Sequence, residues 1–234
     1  MSSTERDVLA RLERPAAVLF DMDGTLVDTE PLWFEATREA LAHLGHRLPD
    51  AAAAEILGLD FAAIVERLRS TFGIVVDPRA LGEALGEVIE PALARASARP
   101  GAAELVEHVI QAGLVCAIVS NSPHAVITAT LAPHGWAAAL PRRFSVDDVA
   151  LGKPAPDVYL HATKRLGVEP GLCIAVEDSP TGARAAVAAG VTCLAVAFEL
   201  GQRNALERET PHVVDSLAEA LDLLARSITM NRPA

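Results

Sequence analysis

The sequence predicts an α/β fold, a parallel sheet with helices on both faces into which a block of helices is inserted. Three observations carry this. Short apolar runs end abruptly in polar residues, which marks buried strands. After Pro100-Gly101 such runs alternate with amphipathic helical stretches, the pattern of a parallel sheet with crossover helices. Between the first run and that point, the block 31–98 has helical periodicity and no convincing buried strand.

The elements follow in order. Ala16 to Asp21 reads as a strand running into a tight loop. Four helices are expected in the inserted block: Leu32 to Leu44, Ala51 to Leu57, Phe61 to Phe72 and Pro78 to Ala96. Next come helix Ala102 to Ala112, strand Val115 to Val119, and helix Pro123 to Leu131 with Ser122 as its N-cap. A short strand is expected near Phe144, then helix Pro156 to Leu166, strand Cys173 to Val176, helix Thr181 to Ala189, strand Cys193 to Ala197 and a terminal helix from Ser216 to Ala225. The implied organisation is an N-terminal tail (1–14), a core (15–30 and 99–227), the helical insertion (31–98) and a C-terminal tail (228–234).

Composition narrows the function. A formal net charge of -11 without any Lys/Arg stripe makes nucleic acid and anionic membrane poor partners. An anionic substrate therefore needs a locally reversed field. Lysine occurs only at Lys153 and Lys164, so the setting of each is informative. Cys116, Cys173 and Cys193 sit in apolar runs without metal-ligand spacing and read as reduced core residues. With no signal-like apolar stretch at its start and no run long enough to span a bilayer, the chain is expected in the cytoplasm, with monomer as the default state.

The candidate functional residues all fall at or just beyond C-terminal strand ends, the edge where open parallel sheets bind ligands. Asp21-Met22-Asp23-Gly24-Thr25 places two carboxylates two residues apart, followed by a glycine that frees backbone amides. Read alone, it is also an acidic turn. Ser120-Asn121-Ser122 offers hydroxyls and amides beside a helix N-terminus, which favours an anion. Gly152-Lys153-Pro154 presents a lysine in a stiff loop; a Walker A loop is excluded, because Asp147 stands at the place of its first glycine and Pro154 at that of its Ser/Thr. Glu177-Asp178-Ser179 adds two more carboxylates. Four converging acids repel one another unless a cation compensates them, and a hard divalent ion such as magnesium suits oxygen ligands.

The order Asp21-x-Asp23-Gly24-Thr25, Ser120, Lys153, Glu177-Asp178 resembles the four-motif signature of the haloacid dehalogenase (HAD) superfamily, over about Ala16 to Ala197. The resemblance implies a Rossmann-like parallel sheet with an inserted α-helical cap domain, and a phosphatase acting on a small phosphorylated metabolite. It implies that Asp21 attacks phosphorus, and that Asp23 protonates the leaving oxygen and then activates water. Asp21, the Asp23 backbone carbonyl and Asp178 would bind Mg2+, with Glu177 supporting from behind. Gly24, Thr25, Ser120, Asn121 and Lys153 would hold the phosphoryl group. Glu30-Pro31-Leu32-Trp33 resembles sugar-phosphate and sugar-alcohol-phosphate phosphatases with this cap, and the loop Gly58-Leu59-Asp60-Phe61 is the expected specificity element.

Two rivals share parts of this pattern. A β-phosphoglucomutase-like enzyme has the same core motifs, but needs a cationic cap loop for a second phosphate, where this chain has Leu59, Asp60 and Phe61. A phospho-acceptor signalling module resembling a response-regulator receiver carries its acidic pair early and its lysine late, whereas Glu177-Asp178 here follows Lys153.

Overall fold

Six parallel strands form the central sheet: β1 (Ala17–Phe20), β4 (Val115–Val119), β5 (Arg143–Phe144), β6 (Cys173–Glu177), β7 (Thr192–Val196) and β8 (Val213–Val214). Their order in space is β5-β4-β1-β6-β7-β8. The computed structural model describes residues 15–56, 59, 61–199 and 201–230. The tail 1–14, and Gly58 and Asp60 of the expected specificity loop, lie outside the described residues.

Every residue of β1 is 0% exposed, so this strand is covered on both faces as a central parallel strand must be. Its alternate side chains feed two separate cores. Val18 and Phe20 pack with Leu105, Val109, Ile118 and Leu224 on one face; Ala17 and Leu19 pack with Tyr159, Ala162, Ala183 and Ala186 on the other. The helices supplying those faces are α5 (Ala102–Gln111) and α10 (Leu217–Met230) on the first, and α7 (Asp157–Leu166) and α8 (Pro180–Ala188) on the second. Each fully buried large apolar side chain contributes about 1.5–3 kcal/mol.

The inserted block holds α1 (Glu30–His43), a 3-10 turn (Asp50–Ala52), α2 (Ala53–Ile56), α3 (Phe61–Phe72) and α4 (Pro78–Leu93). It has its own apolar centre, including Ala40, Leu41, Leu68 and Leu81. Helix α4 starts where Pro78 takes the first turn and the Asp77 carboxylate accepts from Arg79 N–H at 3.0 Å. Ile89 and Leu93 of α4 meet Val126 of α6 (His124–Leu131), which seats the block against the sheet side of the molecule.

Several expectations shift. Helix α4 ends at Leu93, and Ser97–Ala98 (β3) pairs antiparallel with Val27–Asp28 (β2), so a two-stranded ribbon carries the chain into and out of the helices. Two residues per strand are too few to leave a period in the sequence. The expected Ala51 to Leu57 helix splits into the 3-10 turn and α2. At the C-terminus α10 runs on to Met230, so residues 228–230 are helix and not tail; 231–234 lie outside the described residues. Strand β8 and the short helix α9 (Gln202–Leu206) were not expected. No described helix is long and apolar enough to cross a membrane.

Candidate active site

Strand order creates the site. From β1 the chain crosses to β4 on one side and later to β6 on the other, so β1 stands at the point where the order reverses, and its C-terminal end opens into a crevice. Asp21 follows β1, Ser120 follows β4, and Glu177 and Asp178 close β6; the topology alone brings these distant residues together. The Asp21 N–H donates to Val176 O at 3.0 Å, which fixes the start of the acidic loop to β6.

Lys153 lies at the centre. Its Nζ donates to Asp21 Oδ1 at 2.6 Å, Glu177 Oε1 at 2.6 Å and the Val119 carbonyl at 2.9 Å, which uses all three ammonium protons. Burial would lower its pKa, but the two carboxylates outweigh that and raise it, so the ammonium persists. Asn121 positions the lysine: its Oδ1 accepts from Lys153 N–H at 2.7 Å and its Nδ2 donates to Lys153 O at 3.0 Å. The Asn121 carboxamide is thus engaged with the lysine loop, whereas the resemblance implied that Asn121 holds a phosphoryl oxygen.

Glu177 is turned away from the crevice. Besides Lys153, its Oε1 accepts the Tyr159 hydroxyl at 2.7 Å, and Gly182 lies so close that a Cβ there would collide with the carboxylate. Burial and the charge of Asp21 push the Glu177 carboxyl upward, opposed by the Lys153 ammonium and the Tyr159 hydroxyl. Neither Tyr159 nor Gly182 was singled out in the sequence. Removing the hydroxyl in Tyr159→Phe is expected to cost about 1–3 kcal/mol of stability, because a hydrogen bond to a buried charge is lost. Urea unfolding of the two proteins measures it; a change below a few tenths would contradict the bond.

The two aspartates of the first motif occupy different surroundings. Asp23 Oδ2 accepts from Ser120 Oγ at 3.1 Å and Ser122 Oγ at 2.8 Å, while Oδ1 is buried and has no partner. Burial, and then the charge of Asp21, raise the Asp23 pKa against the hydroxyl donors. With Oδ2 held by two donors, Oδ1 is the atom left to carry a proton. Ser122 therefore serves this carboxyl rather than capping α6: Pro123 takes the N-cap position, and no side chain caps the helix. Ser179 does cap α8, accepting from Gly182 N–H at 3.0 Å.

Asp21, Glu177 and Asp178 bring ligand oxygens within 4.8 Å of one another, all buried. Thr25 Oγ1 lies 2.9 Å from Asp21 Oδ2 and 2.7 Å from Asp178 Oδ1, but its single proton serves one carboxylate at a time. Among the described residues no cationic side chain pairs with Asp178; burial and the charges of Asp21 and Glu177 raise its pKa well above the usual value. A carboxylate so placed calls for a cation, and an all-oxygen donor set suits a hard divalent ion. Gly24, at φ +80°, lets the loop pass Asp178 where a Cβ would strike its carboxylate. These residues fit a metal ion.

Above the carboxylates lies a cavity of about 440 Å³, walled on one side by the acidic loop, Ser120 and Lys153 and on the other by Trp33, Phe34, Phe61 and Leu85. A parallel sheet whose switch point gathers carboxylates, one lysine and serine hydroxyls beneath a half-open cavity defines an enzyme of the α/β class. Residues 15–190 match the model of the haloacid dehalogenase-like hydrolases, and the chain belongs to that family. It is 34% identical over 218 residues to protein CbbY of Cupriavidus necator (85% of this chain, 86% of that protein). It is 31% identical over 208 residues to hexitol phosphatase B of Escherichia coli (83% and 86%). A crystal structure of CbbY from Rhodobacter sphaeroides in complex with xylulose-1,5-bisphosphate superposes with a TM-score of 0.75 at 29% identity, covering 87% of this chain and 95% of that one.

Proposed function

We propose that the protein is a magnesium-dependent phosphatase of a small phosphorylated metabolite, and that Asp21 is transiently phosphorylated. The observation that carries this is the contrast between Asp21, paired with the Lys153 ammonium at 2.6 Å, and Asp23, whose buried Oδ1 is free to bear a proton. One carboxyl is set up as a nucleophile and the other as an acid, which is what ester hydrolysis through a covalent intermediate demands.

In the first half-reaction an Asp21 oxygen forms a bond to phosphorus, the bond from phosphorus to the ester oxygen breaks, and Asp23 Oδ1 gives that oxygen its proton. In the second, the Asp23 carboxylate takes a proton from water, the water oxygen bonds to phosphorus, and the Asp21–phosphorus linkage breaks to release inorganic phosphate. Asp21, Asp178 and the Asp23 carbonyl would hold Mg2+, which supplies charge neutralisation for the phosphoryl oxygens. Lys153 balances Asp21 and Glu177, and Ser120 and Asn121, which line the cavity, would meet the transferring group; the Gly24 N–H is spent on Val27 O at 2.8 Å, and Thr25 lies beneath Asp21 and Asp178. Glu177 keeps Lys153 in place from behind.

We read the helices of 31–98 as a cap over this crevice, carried on the β2-β3 ribbon. The names of the relatives and the Glu30-Pro31-Leu32-Trp33 stretch support a sugar or polyol phosphate. The three unpaired buried cysteines suit a reducing cytoplasm, and all the residues invoked come from one chain, as a monomer requires.

Phosphate release from a panel of phosphorylated metabolites, with and without magnesium, tests the reading. Magnesium-dependent release supports it; no release from any ester would remove it. Asp23→Asn is expected to slow alkyl esters by about 10²–10⁴-fold and p-nitrophenyl phosphate far less, since a good leaving group needs no proton. Equal losses on both would contradict the acid role.

A further inference from the structure

We propose that Glu30 and the apolar cap wall act as a charge filter, so that the site takes monophosphate esters with an uncharged body and rejects esters carrying a second anionic group. This rests on the phosphatase reading and narrows its substrate class. Among the described residues lining the cavity Lys153 is the one cation, and its three protons are committed to Asp21, Glu177 and Val119 O. Beyond the phosphoryl seat, the walls are the side chains of Trp33, Phe34, Leu59, Phe61, Ile64 and Leu85, with Glu30 and the Thr29 hydroxyl among the few polar groups. The sequence from Leu57 to Asp60 carries no positive charge.

A carboxylate or second phosphate on the body of the ester would have to lie against this wall. It would lose its hydration without gaining a countercharge, and Glu30 would repel it. Arg99, whose charge acts on Glu30, does not line the cavity: its Nε donates to Gly24 O at 3.0 Å, its Nη2 pairs with Asp28 at 3.2 Å, and its guanidinium lies 4.6 Å from the centre of the Phe198 ring. A neutral hydroxyl fares differently. Thr29 Oγ1 is buried, lines the cavity near the Asp23 carboxyl and has no partner within hydrogen-bond distance, and the Glu30 carboxylate accepts from any hydroxyl that reaches it. The carboxylates that would hold magnesium add no positive charge to the cap wall, and the charge of Glu30 reaches Asp178 among them.

Glucitol 6-phosphate and 6-phosphogluconate make the test, since they share chain length and ester and differ only at the far carbon, a hydroxymethyl in one and a carboxylate in the other. The wild-type enzyme with magnesium is expected to favour glucitol 6-phosphate in kcat/KM by at least about tenfold, the order that like charges separated by several ångströms supply in a half-buried cavity. Glu30→Gln should narrow the ratio about three- to tenfold, and Leu59→Arg, which adds a cation to the wall, should narrow it further. Any loss of helix stability from these changes lowers both esters together and leaves the ratio unmoved. Equal or better use of 6-phosphogluconate by the wild type would overturn the proposal, as would an unchanged ratio in both variants. The affinities of the two esters for Asp21→Asn, measured by calorimetry, read the filter without turnover. Weaker binding of 6-phosphogluconate supports it even if no ester is hydrolysed and the phosphatase reading falls; equal or tighter binding overturns it.

Discussion

Asp21→Asn is expected to reduce magnesium-supported phosphate release by about 10⁴-fold or more while the protein stays folded, because a carboxamide is a poor nucleophile and nucleophile losses are of this order. The fold tolerates the change for a reason visible in the site. Lys153 keeps Glu177 at 2.6 Å and the Val119 carbonyl at 2.9 Å, so its charge remains compensated. One negative charge also leaves a cluster in which Asp21 raises the pKa of Asp23, Glu177 and Asp178. Steady-state kinetics on purified protein and a thermal unfolding curve check both halves of the expectation. Activity within a hundredfold of wild type would remove Asp21 as nucleophile.

Lys153→Met is expected to damage stability and activity together, and here the two effects have one cause. The substitution keeps the length of the side chain but leaves the carboxylates of Asp21 and Glu177 buried without their common cation, at 9% and 0% side-chain exposure. Breaking a buried pair in this way typically costs about 3–5 kcal/mol, because the abandoned charges and not the missing attraction set the penalty. The double variant Lys153→Met with Glu177→Gln should recover part of the stability, since one orphaned charge is neutralised, but none of the activity, since Asp21 still lacks its countercharge. Denaturant unfolding of the wild type, Lys153→Met, Glu177→Gln and the double variant measures the coupling. Additive losses would mean that Lys153 and Glu177 do not act as a unit.

Much of this site was legible in the chain because each piece is local. The strand before Asp21, the strand before Ser120 and the strand before Glu177 each announce themselves as an apolar run that stops at a polar residue, and the sheet then gathers their ends. What the sequence hid is what depends on contacts across the fold. Ser122 reads as a helix cap from its neighbours, yet its hydroxyl reaches Asp23, ninety-nine residues earlier, and Pro123 takes the cap position. Tyr159 looks like an ordinary core aromatic of an amphipathic helix, and only the packing of α7 against β6 puts its hydroxyl on Glu177. Gly182 looks like a helix interior glycine, with a carboxylate as its unseen reason. The β2-β3 ribbon is too short to show a period, and Arg99 at its end gains meaning only through Gly24 and Asp28.

The most direct test of the account is to look for the phosphorylated aspartate. Enzyme turning over its ester with magnesium is quenched in acid and treated with borohydride, which reduces an acyl phosphate to an alcohol, and position 21 is read by peptide mass spectrometry. The account predicts a homoserine residue at position 21, formed only with ester and magnesium present. Steady phosphate release with position 21 unmodified, or with the label at Asp23 instead, would contradict it.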